Sequence, residues 1–274
     1  MKIHILYLIF LILGCASNAL SNNSCHLLFP DSFTDLRSSQ IETPQDSIIQ
    51  NQHLKKNTKT ISNNNFTTSR GLSEYNSRFA ILDRLNQMTR QHRWLDAGAG
   101  RAKAQLDFLK LRQQNQQDSP ELVALSVERP WFTVAKKKFF KYLSGRKLED
   151  YTLSELGKFD LITDYLGPFS YAENAVQILN IYMNVLNVGG SIKIDFNSRS
   201  NMIYKNEQLQ SIKDWILSEL AQPPALQLFS AQYNNDVLTI TRNSEGSFHL
   251  PDVKLFFFYS ELPPVRKYKV DEYR

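Results

Sequence analysis

The 274-residue sequence predicts an α/β fold: a mostly parallel sheet with helices on both faces and an antiparallel hairpin at its end. Three observations carry that prediction. Short, nearly all-apolar runs such as "RWLDAG", "ELVALSVERP" and "KFDLITDYLG" alternate with stretches of helical period, as parallel strands buried on both faces and their crossover helices do. Several of these runs stop at an acid or a small-residue turn, which punctuates strand ends. Late in the chain, two strand-like runs flank Asn234-Asn235-Asp236, a hairpin signal.

The elements follow in order. Leu72, Tyr75, Phe79, Leu82 and Leu85 recur at spacings of three and four, which predicts one helix with an apolar face. "RWLDAG" is the first strand and its turn. Ala102, Leu106 and Leu109 then share one side of a helix. "ELVALSVERP" is the second strand, ending at an acid, and Pro130 suits the first turn of the next helix. "FFKYLSG" is a third strand and "KFDLITDYLG" a fourth. "AENAVQILNIYMNVLNVGG" reads as a helix closed by its glycine pair, followed by a fifth strand, "SIKIDF". "NEQLQSIKDWILSELAQ" reads as a helix stopped by Pro223 and Pro224. "LQLFSAQYNNDVLTITR" is the hairpin, and "VKLFFFYSEL" is one more strand.

Ahead of this domain, residues 70–274, the composition changes twice. Residues 1–19 have one lysine and an apolar run from Ile5 to Leu13, the shape of a secretory signal. That run is shorter than the ~20 residues that cross a bilayer as a helix. Ile12-Leu13-Gly14-Cys15 resembles a bacterial lipobox, which implies cleavage before Cys15 and a lipid on it. Cleavage after Ala19, behind Ser17-Asn18-Ala19, is a second reading, and an uncleaved signal anchor is a third. Residues 20–69 are rich in Asn, Gln, Ser and Thr, too poor in apolar groups to fold alone, and read as a polar tether. The expected location is therefore outside the cytoplasm, secreted or held at a membrane surface by Cys15.

Composition narrows the chemistry. Both cysteines, Cys15 and Cys25, precede the domain, so a disulfide scaffold and a cysteine-based zinc site are excluded. The five histidines form no HExxH motif and no close pair, so no metal is expected. The formal charge is +5, but the cations are scattered. The one tight cluster, Lys136–Lys138 with Lys141, reads as a solvated helix face and not as a nucleic-acid patch.

Ligands of open α/β sheets bind beyond the carboxyl ends of the strands. In "LDAGAGRA", Gly98 and Gly100 allow a sharp turn and close approach of a ligand to the backbone. The helix that follows offers unpaired N–H groups and a positive dipole end. Asp96 can accept hydrogen bonds from a cationic group, and Glu128 sits where such sheets place an acid on ribose hydroxyls. A ligand with an adenosine and a charged tail fits that set.

On these residues the chain resembles the class I S-adenosylmethionine-dependent methyltransferases, with a Rossmann-like sheet of seven strands. "LDAGAGRA" is similar to the family's acid-x-Gly-x-Gly-x-Gly turn, "VALSVE" to its second motif, "FDLITDYLG" to its fourth, and "LNVGGSIKI" to the segment before its fifth strand. The resemblance spans about Leu72 to Arg242. It implies S-adenosylmethionine as cofactor, contacted by Asp96, Ala97, Gly98, Gly100, Glu128 and Asp164, and a methyl acceptor that the sequence does not identify. Tyr165, Phe169 and Tyr171 stand where the family lines its acceptor pocket, or else cover the sheet edge. No catalytic base is indicated; methyl transfer needs chiefly proximity and alignment.

Two departures stand out. Ala102 replaces the third glycine, and Arg146 follows Gly145 where the family carries an acid that reads adenine. Glu149 or Asp150 is a candidate substitute for that acid. A nicotinamide or flavin site is the rival for the glycine turn, but the third glycine of its pattern would fall at Lys103. The second functional expectation is a noncatalytic binding module on a degenerate methyltransferase scaffold.

Overall fold

The computed structural model describes residues 70–127, 139–196, 201–205, 208–259 and 265–270. The signal and tether readings, Cys15, Glu128, Pro130 and Lys136–Lys138 lie outside the described residues.

Seven strands form the main sheet: β1 (Arg93–Asp96), β2 (Glu121–Ser126), β3 (Phe140–Ser144), β4 (Phe159–Asp164), β5 (Leu186–Asp195), β8 (Phe229–Asn234) and β9 (Val237–Arg242). Their order is β3-β2-β1-β4-β5-β9-β8, parallel from β3 to β5 and antiparallel at β9 and β8. This is the Rossmann-like, mostly parallel seven-stranded sheet that the sequence predicts, with its terminal hairpin. That hairpin turns at Asn235 and Asp236, both with positive φ, as a two-residue turn matched to strand twist requires.

Alternation along the strands explains why both faces are covered. Trp94, Leu122 and Leu161 point to one face, where they pack with Tyr75, Phe79, Leu85, Phe108 and Leu109. Those partners come from α1 (Leu72–Phe79), α2 (Leu82–Gln87) and α3 (Lys103–Gln114). Their strand neighbours Leu95, Val123 and Ile162 point to the other face. There they meet α4 (Leu153–Leu156), α5 (Pro168–Tyr171), α6 (Ala175–Asn184) and α7 (Ile212–Leu220). Successive strand residues face opposite ways, so one near-continuous apolar run serves two cores.

A second sheet, which the sequence reading does not foresee, is built from β6 (Asn201–Lys205), β7 (Gln208–Ser211), β10 (Val253–Tyr259) and β11 (Val265–Val270) in the order β10-β11-β6-β7. Its inner face shares the larger core through Ile203, Val253, Tyr268 and Val270. Among the described residues no helix is long and apolar enough to cross a membrane.

Three elements depart from expectation. The first predicted helix is two, because Ala80 takes a left-handed conformation (φ 49°) and its N–H closes on the Asn76 carbonyl. The Asn76 side chain then accepts from the Leu82 N–H at 2.9 Å and restarts the helix. The glycine pair does not end α6: Gly189 and Gly190 lie inside β5, where the pairing with β4 shifts register between Phe159 and Leu161. "QLQS" pairs with β6 instead of starting α7, whose N-cap is Ser211, accepting from the Asp214 N–H at 3.1 Å.

Arg112 ties α3 to the end of α2. Its guanidinium, 4% exposed with its residue, donates to the carbonyls of Leu85 (2.9 Å), Asn86 (3.1 Å) and Met88 (2.7 Å) and to the Gln117 side chain (2.8 Å). Arg112→Met keeps the stem's packing and strands those carbonyls. Chemical denaturation should show a loss of about 2–4 kcal/mol; a loss under about 0.5 kcal/mol would contradict this role.

Candidate functional site

The carboxyl ends of β1, β4 and β5 lie side by side, and each carries an aspartate: Asp96, Asp164 and Asp195. All three are buried, at 1%, 0% and 5% exposure. A buried carboxylate needs hydrogen bonds or a counter-charge. The three are satisfied to different degrees.

Asp195 has a cation. The Arg78 guanidinium, from α1, donates to Asp195 Oδ1 through Nε (2.9 Å) and Nη2, and also reaches the Asn235 and Asp236 carbonyls of the hairpin turn. Asp164 has three neutral donors: the Gly167 N–H (2.6 Å), the Phe169 N–H (2.9 Å) and the Tyr182 hydroxyl (2.7 Å). Burial still pushes its pKa up, against those three bonds.

Asp96 is the least satisfied. Its Oδ1 accepts from the Tyr75 hydroxyl at 2.9 Å and from Thr163 Oγ1 at 3.4 Å. Its Oδ2 is buried and has no hydrogen-bond partner in the structure. Gln105, in the first turn of α3, lies close enough to favour the carboxylate, yet both its buried amide atoms also lack an aligned partner. Burial pushes the Asp96 pKa to about 7; Tyr75, Gln105 and the Gly98 backbone draw it down, and Asp164 adds a smaller upward push.

The glycine turn sits directly above. The Ala97 N–H donates to the Thr163 carbonyl at 2.8 Å and the Ala99 N–H to the Leu125 carbonyl at 3.2 Å, so the turn is anchored to both neighbouring strands. Gly98 meets the loop after β4: a Cβ there would stand 2.9 Å from Gly167 Cα and 3.0 Å from the Tyr165 carbonyl oxygen. Gly100 has φ 50°, and its carbonyl accepts from the Tyr142 hydroxyl on β3. Ala102 has φ 56° and is the N-cap of α3, with no side-chain cap and no acid in the first turn. The conformation that glycine adopts freely is here held by an alanine. The positive end of α3 is thus left without a side-chain acceptor.

The site reached by the sequence reading therefore divides. Asp96, Ala97, Gly98, Gly100 and Asp164 come together at the ends of β1 and β4. Glu128 lies outside the described residues. Arg146 donates to Glu155 at 2.8 Å and stacks on the Tyr151 ring at 3.8 Å; Glu155 is drawn down to about 2, chiefly by Arg146. Asp150 accepts the Lys147 N–H at 3.0 Å, closing its own short turn. Of the three aromatic candidates, Phe169 is core, with its ring 5.0 Å from that of Phe196. Tyr165 packs edge-on against Tyr75 and Phe79, each at 5.4 Å, with the Arg70 guanidinium over its ring. Tyr171, at the end of α5, is half-buried, and that burial raises its pKa.

Tyr75, Gln105, Tyr182, Arg78 and Asp195 are site residues that the sequence reading missed. Gln105 carried a usable signal, being a polar residue on the buried side of α3 beside Ala104, Phe108 and Leu109. Among the described residues no group of His, Cys, Asp and Glu gathers to hold a metal ion.

No model of a protein family matches the chain, and no curated protein matches it. Solved structures do. MycE, a methyltransferase of the mycinamycin biosynthetic pathway, in complex with Mg and SAH, is 14% identical, with 67% of this chain and 58% of that chain covered and a TM-score of 0.42. A single-substitution variant of LepI, in complex with SAH and a substrate analogue, is 12% identical, with 71% and 55% covered and a TM-score of 0.42. A TehB-like SAM-dependent methyltransferase from Corynebacterium glutamicum is 16% identical, with 73% and 100% covered and a TM-score of 0.34. This chain spans little more than half of the first two. No residue role follows from likenesses this distant.

Two outcomes are expected. Gly98→Ala drives a Cβ into the Gly167 backbone and should cost about 1–3 kcal/mol in denaturant unfolding; an unchanged midpoint would contradict the close approach. The raised Asp96 pKa stabilises the fold fully below about 4, the ordinary carboxylate range, and that contribution is lost as pH rises through about 7. Asp164 contributes with the same sign. Asp96→Asn should therefore flatten, without abolishing, the fall in melting temperature between pH 4 and pH 7.5, and an unchanged pH profile would contradict it.

Proposed function

We propose that this protein is an S-adenosylmethionine-dependent methyltransferase whose methyl acceptor is not identified. One observation carries the reading: a buried Asp96 oxygen without a partner lies beneath a glycine turn, next to a helix N-terminus without a side-chain cap. An α-amino-acid tail supplies what both lack. Its ammonium would pair with Asp96 and lower the carboxylate's pKa, and its carboxylate would meet the first-turn N–H groups of α3. Gly98 and Gly100 would carry the turn, with the Ala97 backbone beside it, and Glu128 would hold the ribose hydroxyls. The bound group supplies an electrophilic methyl on a sulfonium sulfur. The chain's own work is to bind, orient and exclude water. Asp164 acts by positioning, because its carboxylate holds the loop of Gly167 and Phe169 and has little capacity left for a ligand.

Residues 1–19 extend the reading to an exported protein, tethered through a lipid on Cys15 or secreted. S-adenosylmethionine is made in the cytoplasm, so such a protein would meet it only after delivery into a cell. A noncatalytic module on the same scaffold is the second reading. Its support is the Arg146–Glu155–Tyr151 stack at the position where the family reads adenine.

Calorimetric titration of S-adenosylmethionine into the full chain separates the two. The methyltransferase reading expects micromolar binding, weakened at least tenfold by Asp96→Asn. Absence of binding to a folded protein would overturn it in favour of the noncatalytic module.

A further inference from the structure

Gln105 breaks the pattern of its helix. It is the third residue of α3, on the side that carries Ala104, Phe108 and Leu109 into the core. Its side chain is fully buried, and neither its amide oxygen nor its amide nitrogen has a hydrogen-bond partner. Each of these groups costs free energy that a methionine or leucine in its place would not. Helix propensity does not explain the choice, because Gln, Leu and Met are nearly equal helix formers. Breaches of a local rule like this one gather at functional sites.

A third such atom belongs to the neighbouring residue. Asp96 Oδ2 is buried without a partner, and Gln105 lies close enough to Asp96 to favour its carboxylate form. The polar groups around them are already engaged: Tyr75 and Thr163 on Asp96 Oδ1, and the Trp94 indole N–H on Thr163 Oγ1 at 2.9 Å. Two acceptors therefore stay open, Asp96 Oδ2 and Gln105 Oε1, with one donor group, Gln105 Nε2. They stand at the first turn of a helix that has no side-chain cap. The charge of Asp96 sorts the occupants. An anion is repelled by the carboxylate. A buried water can meet all three atoms but leaves the carboxylate charge uncompensated. A primary ammonium meets both acceptors and the charge, and a carboxylate on the same carbon meets the donor. We propose that Gln105 is a second receiver of the cofactor's α-ammonium, gripping it together with Asp96 so that the pair selects for an intact amino-acid tail. This inference rests on the methyltransferase reading above. It gives Gln105 a cost in the empty protein and a gain in the bound one. Neither side chain is open to solvent, so entry of the tail requires the turn above them to move.

The test is calorimetric titration of the full chain with S-adenosylhomocysteine and with 5′-methylthioadenosine, which keeps the nucleoside and the sulfur but lacks the amino-acid tail. Wild type, Gln105→Met and Gln105→Leu are compared, and the thermal unfolding of each unliganded protein is recorded beside them. The wild type should bind S-adenosylhomocysteine at least tenfold more tightly than 5′-methylthioadenosine. Gln105→Met should weaken S-adenosylhomocysteine by about tenfold, as expected for a lost hydrogen bond to a charged group, and 5′-methylthioadenosine by less than about twofold. Its unliganded melting temperature should hold or rise, because the unsatisfied amide is gone. Gln105→Leu should repeat both results with a different shape. If Gln105 only packs or holds a water, both variants melt lower or fail to fold, which overturns the proposal. Equal weakening of the two ligands also overturns it. A wild type that binds neither ligand overturns the methyltransferase reading and this inference with it. Wild-type binding of S-adenosylhomocysteine that the folded variants match overturns this inference alone.

Discussion

Two backbones in near contact organise the strand ends. Gly98, after β1, and Gly167, after β4, approach so closely that a Cβ on either would meet the other's main chain below 3 Å. Adjacent parallel strands bring their following loops together, and only glycine on both sides allows this separation. The contact sets the height of the glycine turn above Asp96. It also brings the Gly167 N–H onto Asp164, so that one carboxylate is used in holding the loop. At the neighbouring strand end, Asp96 keeps one buried oxygen without a hydrogen-bond partner.

The three strand-end aspartates show how burial divides labour among like groups. Asp195 is compensated by the Arg78 charge and Asp164 by three dipoles. Asp96 has a phenol and a distant hydroxyl on one oxygen and no partner on the other. Desolvation therefore dominates at Asp96 and brings its pKa to about 7. A carboxyl that titrates near neutrality can meet a cation by giving up a proton, which couples ligand binding to pH.

The sequence made the main sheet legible because each central strand is apolar on both sides, with pairs such as Trp94 and Leu95 or Leu161 and Ile162 serving opposite cores. The glycine turn was legible for a related reason: few sequences place two glycines between a buried strand and a helix without a geometric need. The second sheet was hidden. Only β10, within "VKLFFFYSEL", was legible as a strand; β6, β7 and β11 are short and largely polar, and β6 pairs with β11 across more than fifty residues. Gly189 and Gly190 misled because a glycine pair marks a helix stop and a strand irregularity equally well. At the site, Tyr75 and Tyr182 read as members of apolar helix faces, and only the fold reveals that their hydroxyls end on buried carboxylates.

The proposed function rests on Asp96 as a buried acid whose pKa desolvation raises, which a cationic ligand would ionise. The most direct measurement is proton release on binding S-adenosylmethionine, from calorimetry at pH 6.5 in two buffers of different ionisation enthalpy. The account predicts a release of more than about half a proton per site, as expected for an acid of pKa about 7 that becomes ionised, and its loss in Asp96→Asn at whatever affinity remains. Binding without proton release, or with a release that Asp96→Asn leaves unchanged, would contradict it.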